Sequence, residues 1–479
     1  MPTAQEICWL PISELAPLIQ RRELSPVEVA EAALSRVEEL NGRLNAVCTY
    51  DPERVRASAR RAEDALVRGD AVGPLHGIPI AVKDLIFAND HVTTGGSTFY
   101  RDFVPDEDDV TVERLRKAGA VILGKTNVPE FGFGVGPGNP VFGLTRNPWN
   151  PDRTPGGSSS GSAAGVAAGM FPGALGSDGG GSVRVPASFC GLYGLKASFG
   201  RIPLYPGCRD TRYPGFSGWE QFEHIGPLTR TVQDTAIMLD VLAGPDPRDR
   251  HSVPKEARPF ADLDEPNVAG LRVAWTTDFG GYARADADVC AAVEGAARQF
   301  EALGAHVENA SPFSANPIAA FLAIVALDFD VVAMRPFVAE HPDAVNERIA
   351  DLVARPWTFE EVSEAFARRR DLYNELWRFF ERFDVLLTPA TPTAAHDITL
   401  PGPSTIGGVP TTNPGMAFSF THAFNMTGNP AASIPCGWSA DGMPLGLQIV
   451  GNHLDDRMVL RASRALELAM PWADRRPPL

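Results

Sequence analysis

Apolar positions along this chain alternate between two periods, one helical and one strand-like. Val27, Ala30, Leu34 and Val37 form one stripe at helical spacing, preceded by the capping box Ser25-Pro26-Val27-Glu28 with proline at the first helical position. Gly42 is the expected stop of that helix. The same spacing predicts helices over 110–117, 286–303 and 360–380 and, weakened by glycine, over 163–170. Residues 226–234 are read as opening a further helix that runs to about 242. Short apolar runs predict strands over 120–123, 271–275 and 384–388, and another starting at Ala174 and Leu175. Such alternation predicts an α/β fold. The run PIAAFLAIVAL at 317–327 is apolar throughout, yet has only about half the length needed to cross a bilayer. It is either a buried helix lining a pocket, the favoured reading, or a membrane-facing patch.

Small residues concentrate at 154–194, where two glycine-rich loops, GGSSSG at 156–161 and DGGGS at 178–182, flank a short apolar run. Three glycines before Ser182 free the backbone to present bare N–H groups, as an oxyanion hole beside a nucleophile requires. Taken alone, DGGGS is more often a flexible turn or a phosphate cradle. Neither loop has the Gly-Lys-Ser/Thr ending of a Walker loop, so no nucleotide is implied. Residues 157–161 also match G-x-S-x-G, which would make Ser159 the nucleophile, but that elbow follows a buried strand and here it follows the proline-broken loop RNPWNPDRTP at 146–155. Lys83 ends the strand-like run GIPIAVKD at 77–84. Read alone it is a snorkelling or ion-paired lysine.

Together, GIPIAVKD, GGSSSG and DGGGSVRVPAS, in that order and with Ser182 twenty-four positions beyond Ser158, resemble the amidase signature family of serine hydrolases. KTNVPEFG at 125–132, FNMTGNP at 424–430 and GMPLGLQIVG at 442–451 extend the resemblance over most of the chain. It implies Ser182 as nucleophile, Ser158 as a bridging serine after a cis peptide with Gly157, and Lys83 as the base. The implied oxyanion hole is the backbone N–H groups of Gly179, Gly180, Gly181 and Ser182. Phe131, Gly132, Ser159 and Phe424 are assigned to substrate binding. Asp178 and Arg184 are read as an ion pair bracing the nucleophile loop, Cys190 as a small core residue, and His76 as structural. The implied fold is a single α/β/α sandwich around a large mixed, mostly parallel sheet. A lysine base must be neutral near pH 7, about three units below its reference value, or roughly 4 kcal/mol. Burial alone shifts such groups by about 3 to 5 units.

Hydrophobic residues make up 44% of the 479 and charged residues 21%, enough for a large core. The motifs spread from Lys83 to Gln448, so the chain is read as one domain: a helical arm at 1–70, a signature core at 71–245, a linker-like loop at 246–266, and a remainder at 267–479 that completes the same sheet. The arm is expected to wrap the core or to form a homodimer contact. Loops 200–223 and 400–415 are expected at the site mouth, with Phe418, Phe420 and Phe424 either walling the entrance or packing the core. A net charge of -16 argues against a nucleic-acid surface. Residues 1–20 carry Glu6 and Glu14 and no basic start, unlike a signal peptide. Six cysteines fall in neither metal-ligand nor disulfide-framework spacing, and no HExxH occurs, so the expectation is a cytoplasmic protein without metal or other cofactor. The expected reaction is hydrolysis of a small-molecule amide through an acyl-Ser182 intermediate, extending to carbamates, anilides and esters. The rivals are the glutaminase subunit of a tRNA-dependent amidotransferase and a non-catalytic binding protein on the same fold.

Overall fold

Eleven strands drawn from almost the whole chain share one sheet. They are β1 (Val47–Thr49), β2 (Pro79–Lys83), β3 (Val121–Thr126), β4 (Gly173–Ser177), β5 (Tyr193–Lys196), β6 (Ile225–Thr229), β7 (Arg272–Trp275), β8 (His306–Asn309), β9 (Val385–Pro389), β10 (Ala431–Trp438) and β11 (Pro444–Gly451). The computed structural model of the chain describes residues 2–479 apart from 135, 137, 264–265, 342–344 and 412. Strand order is β1-β3-β2-β4-β6-β5-β10-β11-β9-β7-β8.

The sheet is mixed, as expected, and its parallel pairings fall in two runs, β3-β2-β4 and β9-β7-β8. Between those runs every pairing is antiparallel. Loop length explains the difference. Only a tight turn joins β10 to β11, which forces an antiparallel hairpin, whereas β2 reaches β3 through the helix Val110–Lys117, and parallel neighbours need such a crossover. All five residues of β2 are buried, as befits a strand covered on both faces.

The helix Val110–Lys117 spans the predicted residues, and the Asp109 carboxylate caps it by accepting from Thr111 N at 2.8 Å. The helix Pro26–Leu44 starts at the Ser25 capping box but runs through Gly42 and stops at Asn45, whose φ is +52°. Asn45 tolerates that left-handed turn, while Gly42 occupies a surface position with open space around it. Residues 226–229, expected within a helix, form β6 instead, because pairing to both β4 and β5 overrides local helical preference, and the helix Val232–Leu242 begins only after the Thr231 cap. The run at 317–327 becomes the helix Ile318–Asp328, and among the described residues no helix is long and apolar enough to cross a membrane.

Part of the 1–70 segment packs against the core. Ile12, Leu15 and Ile19 of the helix Ile12–Gln20 are buried in the main cluster, and the Asp234 carboxylate accepts from Ile12 N at 3.0 Å and Ser13 N at 2.9 Å. The 246–266 segment is fastened to the surface. Phe260 is buried, and Phe260 N and Ala261 N each donate to Asp240 at 2.7 Å; residues 264–265 of this segment lie outside the described ones.

Candidate active site

β2 ends at Lys83 and its parallel neighbour β4 ends at Ser177, with Val82 paired to Leu175. Both side chains therefore emerge at the carboxyl edge of the sheet, where open α/β sheets place their ligands. The Lys83 side chain is fully buried and donates from Nζ to Ser158 Oγ at 2.7 Å, to Ser177 Oγ at 2.9 Å and to Ser177 O at 3.2 Å. It forms no ion pair among the described residues. Burial holds its pKa below the ordinary lysine value, against the opposing fields of Glu223 and Asp178.

The peptide between Gly157 and Ser158 is cis. Beyond it, Ser159 N donates to Ser182 O at 3.2 Å, which sets the two serine loops side by side. The Ser159 hydroxyl accepts from Ser177 N at 3.2 Å and donates to Ser177 O at 3.3 Å. That hydroxyl fills the space left open by Gly176, whose added Cβ would stand 2.7 Å from it. Ser159 thus locks the first loop onto β4 and faces away from the cavity, in neither a nucleophile's position nor the substrate-binding one assigned to it.

The second loop passes from Asp178 to Ser182. Gly181 takes φ +139°, and a Cβ there would lie 2.3 Å from Thr421 Oγ1, so only glycine fits. Among the described residues no acceptor takes the N–H groups of Gly179, Gly180, Gly181 or Ser182. They are free to receive an oxyanion.

A buried network holds the loop. Arg184 donates from Nε to Asp178 Oδ2 at 2.9 Å and from Nη2 to Asp178 Oδ1 at 2.8 Å. It also reaches Gln448 Oε1 at 2.6 Å, Thr421 O at 3.0 Å and Asn425 Oδ1 at 2.6 Å. Burial acts to raise the Asp178 carboxyl, but the Arg184 charge and hydrogen bonds overcome it and hold the group well below the usual carboxylate range. Cys190 is fully buried on the helix Arg184–Cys190, and His76 Nε2 is 2.8 Å from Ala62 O.

The two loops open into a cavity of about 460 Å3, lined by Ser158, Gly179, Gly180 and Ser182 together with Phe131 and Gly132. Its remaining wall is mainly apolar, with Leu85, Trp219, Phe321 and Phe418 prominent. Phe321 belongs to the helix Ile318–Asp328, so the favoured pocket-lining reading of the 317–327 run describes its place. Loops 200–223 and 400–415 both contribute lining, through Gly215 and Trp219 and through Pro414 and Gly415; residue 412 lies outside the described ones. Phe424 is not in the cavity wall. It is fully buried, with ring centroids 5.8 Å from Phe313 and 6.1 Å from Phe279, because its helix His422–Thr427 turns that face toward the core. Phe420 packs in the same cluster.

Several lining residues have no signature in the sequence. Ser177 has the clearest signal, as the residue before DGGGS at the end of the predicted strand. Glu223 is one of two glutamates in an aromatic-rich loop, and Arg348 enters from the helix Glu347–Ala354, far along the chain from both glycine motifs. Nothing local marks either. Burial raises the Glu223 carboxyl above the ordinary range, partly offset by Lys83 and by the adjoining Ser177.

Comparison with known proteins bears on the whole chain. A family model described as Amidase matches residues 28–460. An acylamidase of Rhodococcus erythropolis is 37% identical over 481 residues, covering 99% of this chain and 98% of the relative. A glutamyl-tRNA(Gln) amidotransferase subunit of Geobacillus thermodenitrificans (strain NG80-2) is 34% identical over 497 residues, covering 98% of this chain and 99% of the relative. The crystal structure of a bacterial aryl acylamidase belonging to the amidase signature enzymes superposes with a TM-score of 0.89 at 30% identity, covering 97% of each chain.

Proposed function

Because the chain belongs to the amidase signature family and is an amidase, we propose that it hydrolyses small amides bearing an apolar acyl or aryl group, anilides among them, through an ester on Ser182. The observation that carries this reading is the Lys83 amine, buried and 2.7 Å from the Ser158 hydroxyl, beside a cavity lined by Ser182, Gly179 and Gly180, whose N–H groups have no acceptor among the described residues.

In this reading the neutral Lys83 amine draws a proton from Ser158, which in turn takes the Ser182 proton as Oγ attacks the amide carbonyl. The N–H groups of residues 179–182 receive the oxyanion. The proton then returns through Ser158 to the leaving nitrogen, the C–N bond breaks, and water repeats the sequence on the acyl ester. The aromatic wall of Trp219, Phe321 and Phe418 suits an apolar acyl or aryl group. Carbamates and esters pass through the same tetrahedral intermediate and extend the proposed range. All six cysteines are free, which suits a reducing compartment such as the cytoplasm.

A second reading, glutaminase subunit of an amidotransferase, rests on the likeness to the Geobacillus protein. The mainly apolar cavity favours the first. Labelling with a serine-directed fluorophosphonate, mapped by mass spectrometry, tests the mechanism: the adduct is expected on Ser182 and weakened in Lys83→Ala. An adduct on Ser159, or none, overturns it. Turnover of anilides, amides, carbamates and esters by the isolated chain, with no response to glutamine, then supports the first reading, and turnover of glutamine alone supports the second.

A further inference from the structure

Lys83 has two hydroxyl neighbours. One arm of its hydrogen bonding leads to Ser158 and the nucleophile. The other leads to Ser177 Oγ at 2.9 Å, and that hydroxyl adjoins the Glu223 carboxylate. Glu223 reaches the cavity floor from the loop ahead of β6, close against the oxyanion loop: a Cβ added to Gly179 would lie 2.7 Å from Glu223 Oε2. The Ser177 hydroxyl, which accepts from the amine, lines the same cavity as the Glu223 carboxylate, whose field reaches the amine.

The charged groups around this pair are few. Lys83 feels Glu223 and Asp178; Glu223 feels Lys83 and Asp178, and its own field reaches the thiol of Cys208, which burial keeps protonated. Asp178 is bound in bidentate fashion by Arg184, so its charge is already matched. Glu223 is therefore the carboxylate left to answer a change of charge on Lys83.

Resting on the lysine-base mechanism above, we propose that Glu223 is a positioning residue: from behind Ser177 it holds the Lys83 amine toward Ser158 and supplies the counter-charge for the ammonium that forms when Ser182 loses its proton. The proton moves from Ser182 to Ser158 and from Ser158 to Lys83; Glu223 exchanges none, and stabilises the product of the transfer through its field. Lys83 is fully buried and Glu223 half-buried, so that field is screened less than it would be between two surface groups.

The test reads the base without an amide substrate. The rate of Ser182 labelling by a small alkyl fluorophosphonate, which has no N–H to bind a carboxylate, is followed against pH in the full chain. Glu223→Gln keeps the shape and removes the charge, so its acid limb is expected to move to lower pH by about one unit, with slower labelling on the plateau, because the lysine loses its counter-ion and becomes a weaker base. Glu223→Asp, which keeps the charge, is expected to hold the limb near the wild-type position. Glu223→Ala is carried alongside, and serves if the glutamine variant does not fold; the same downward shift is expected. A limb that stays in place in a folded variant, or an effect confined to KM for substrates with an N–H or a cation, overturns the proposal while the lysine mechanism stands. Failure of wild-type Ser182 to label at all removes that mechanism itself, and is read from the wild type alone.

Discussion

The Lys83 amine lies 2.7 Å from the Ser158 hydroxyl in a fully buried site where it forms no ion pair among the described residues. A buried lysine with two hydroxyls and a carbonyl for partners is shifted toward its neutral form, because hydroxyls offset little of the cost of burying a charge. The strand end thus makes the base by desolvation.

Replacing Lys83 by alanine is expected to lower kcat for an anilide by about 10²–10⁴-fold, the range general bases contribute. Ser182→Ala is expected to leave no measurable acyl-enzyme. Steady-state assays with burst analysis check both, and appreciable turnover by Ser182→Ala would sink the nucleophile assignment.

Activity should depend on pH with one sign. The neutral amine is the competent form, and burial lowers the pH at which it appears relative to an ordinary lysine. Activity therefore rises with pH through the Lys83 transition and is lost below it as the amine takes a proton. A profile of kcat/KM that is flat down to about pH 5 contradicts a lysine base.

Arg184→Ala leaves Asp178 buried with its charge unmatched. The expected cost is about 3–5 kcal/mol in denaturant unfolding, since breaking one half of a buried pair strands the other. Its sign with pH follows from the lowered Asp178 value: the pair stabilises the fold above the unfolded carboxylate's pKa, and that contribution fades as pH falls toward the folded one. Wild type and variant should thus converge in stability only in strong acid. Equal stability at neutral pH would refute the bracing role.

Gly181→Ala places a Cβ 2.3 Å from Thr421 Oγ1 at a φ of +139°. Displacing this loop should cost about 10²–10³ in kcat, the scale of losing one oxyanion donor. A variant with native circular dichroism and native kcat would show that these N–H groups do not hold the oxyanion.

Phe321 stands over the nucleophile loop, its ring 3.0 Å from where a Cβ on Gly180 would sit. Phe321→Leu is expected to raise KM for anilides several-fold and to leave KM for acetamide nearly unchanged, because only the larger group reaches that wall. Parallel kinetics on the two substrates decide it; an equal change in both would remove Phe321 from acyl or aryl recognition.

What the sequence makes legible is what chemistry and backbone geometry demand locally. Lys83, Ser158 and Ser182 stand in short motifs whose order carries the reading, and the structure brings Lys83 and Ser158 into hydrogen-bond contact around a cavity shared with Ser182. Helix starts are similarly local: Ser25 and Asp109 cap where a short polar side chain precedes an apolar stripe. Choices decided by distant neighbours are not legible. The chain at 225–229 pairs with β4 and β5 rather than coiling, Ser159 serves β4 because Gly176 leaves it room, and Phe424 is drawn to Phe313 and Phe279. Glu223 belongs to the same class. Its significance comes from Lys83, far earlier in the chain, and no periodicity records that proximity.

The bond from Arg184 to Gln448 has a consequence for timing during synthesis. A nascent chain carries its nucleophile, bridging serine and base within its first 182 residues, while the side chain that completes the brace of Arg184 sits on the final strand. Until β11 inserts between β10 and β9, the ribosome holds a polypeptide with every reacting group present and an unset loop. Hydrolysis is therefore expected to begin only once β11 has taken its place, and a chain truncated at residue 443 to be silent toward fluorophosphonate; labelling of that truncated chain would show that the loop sets without this strand.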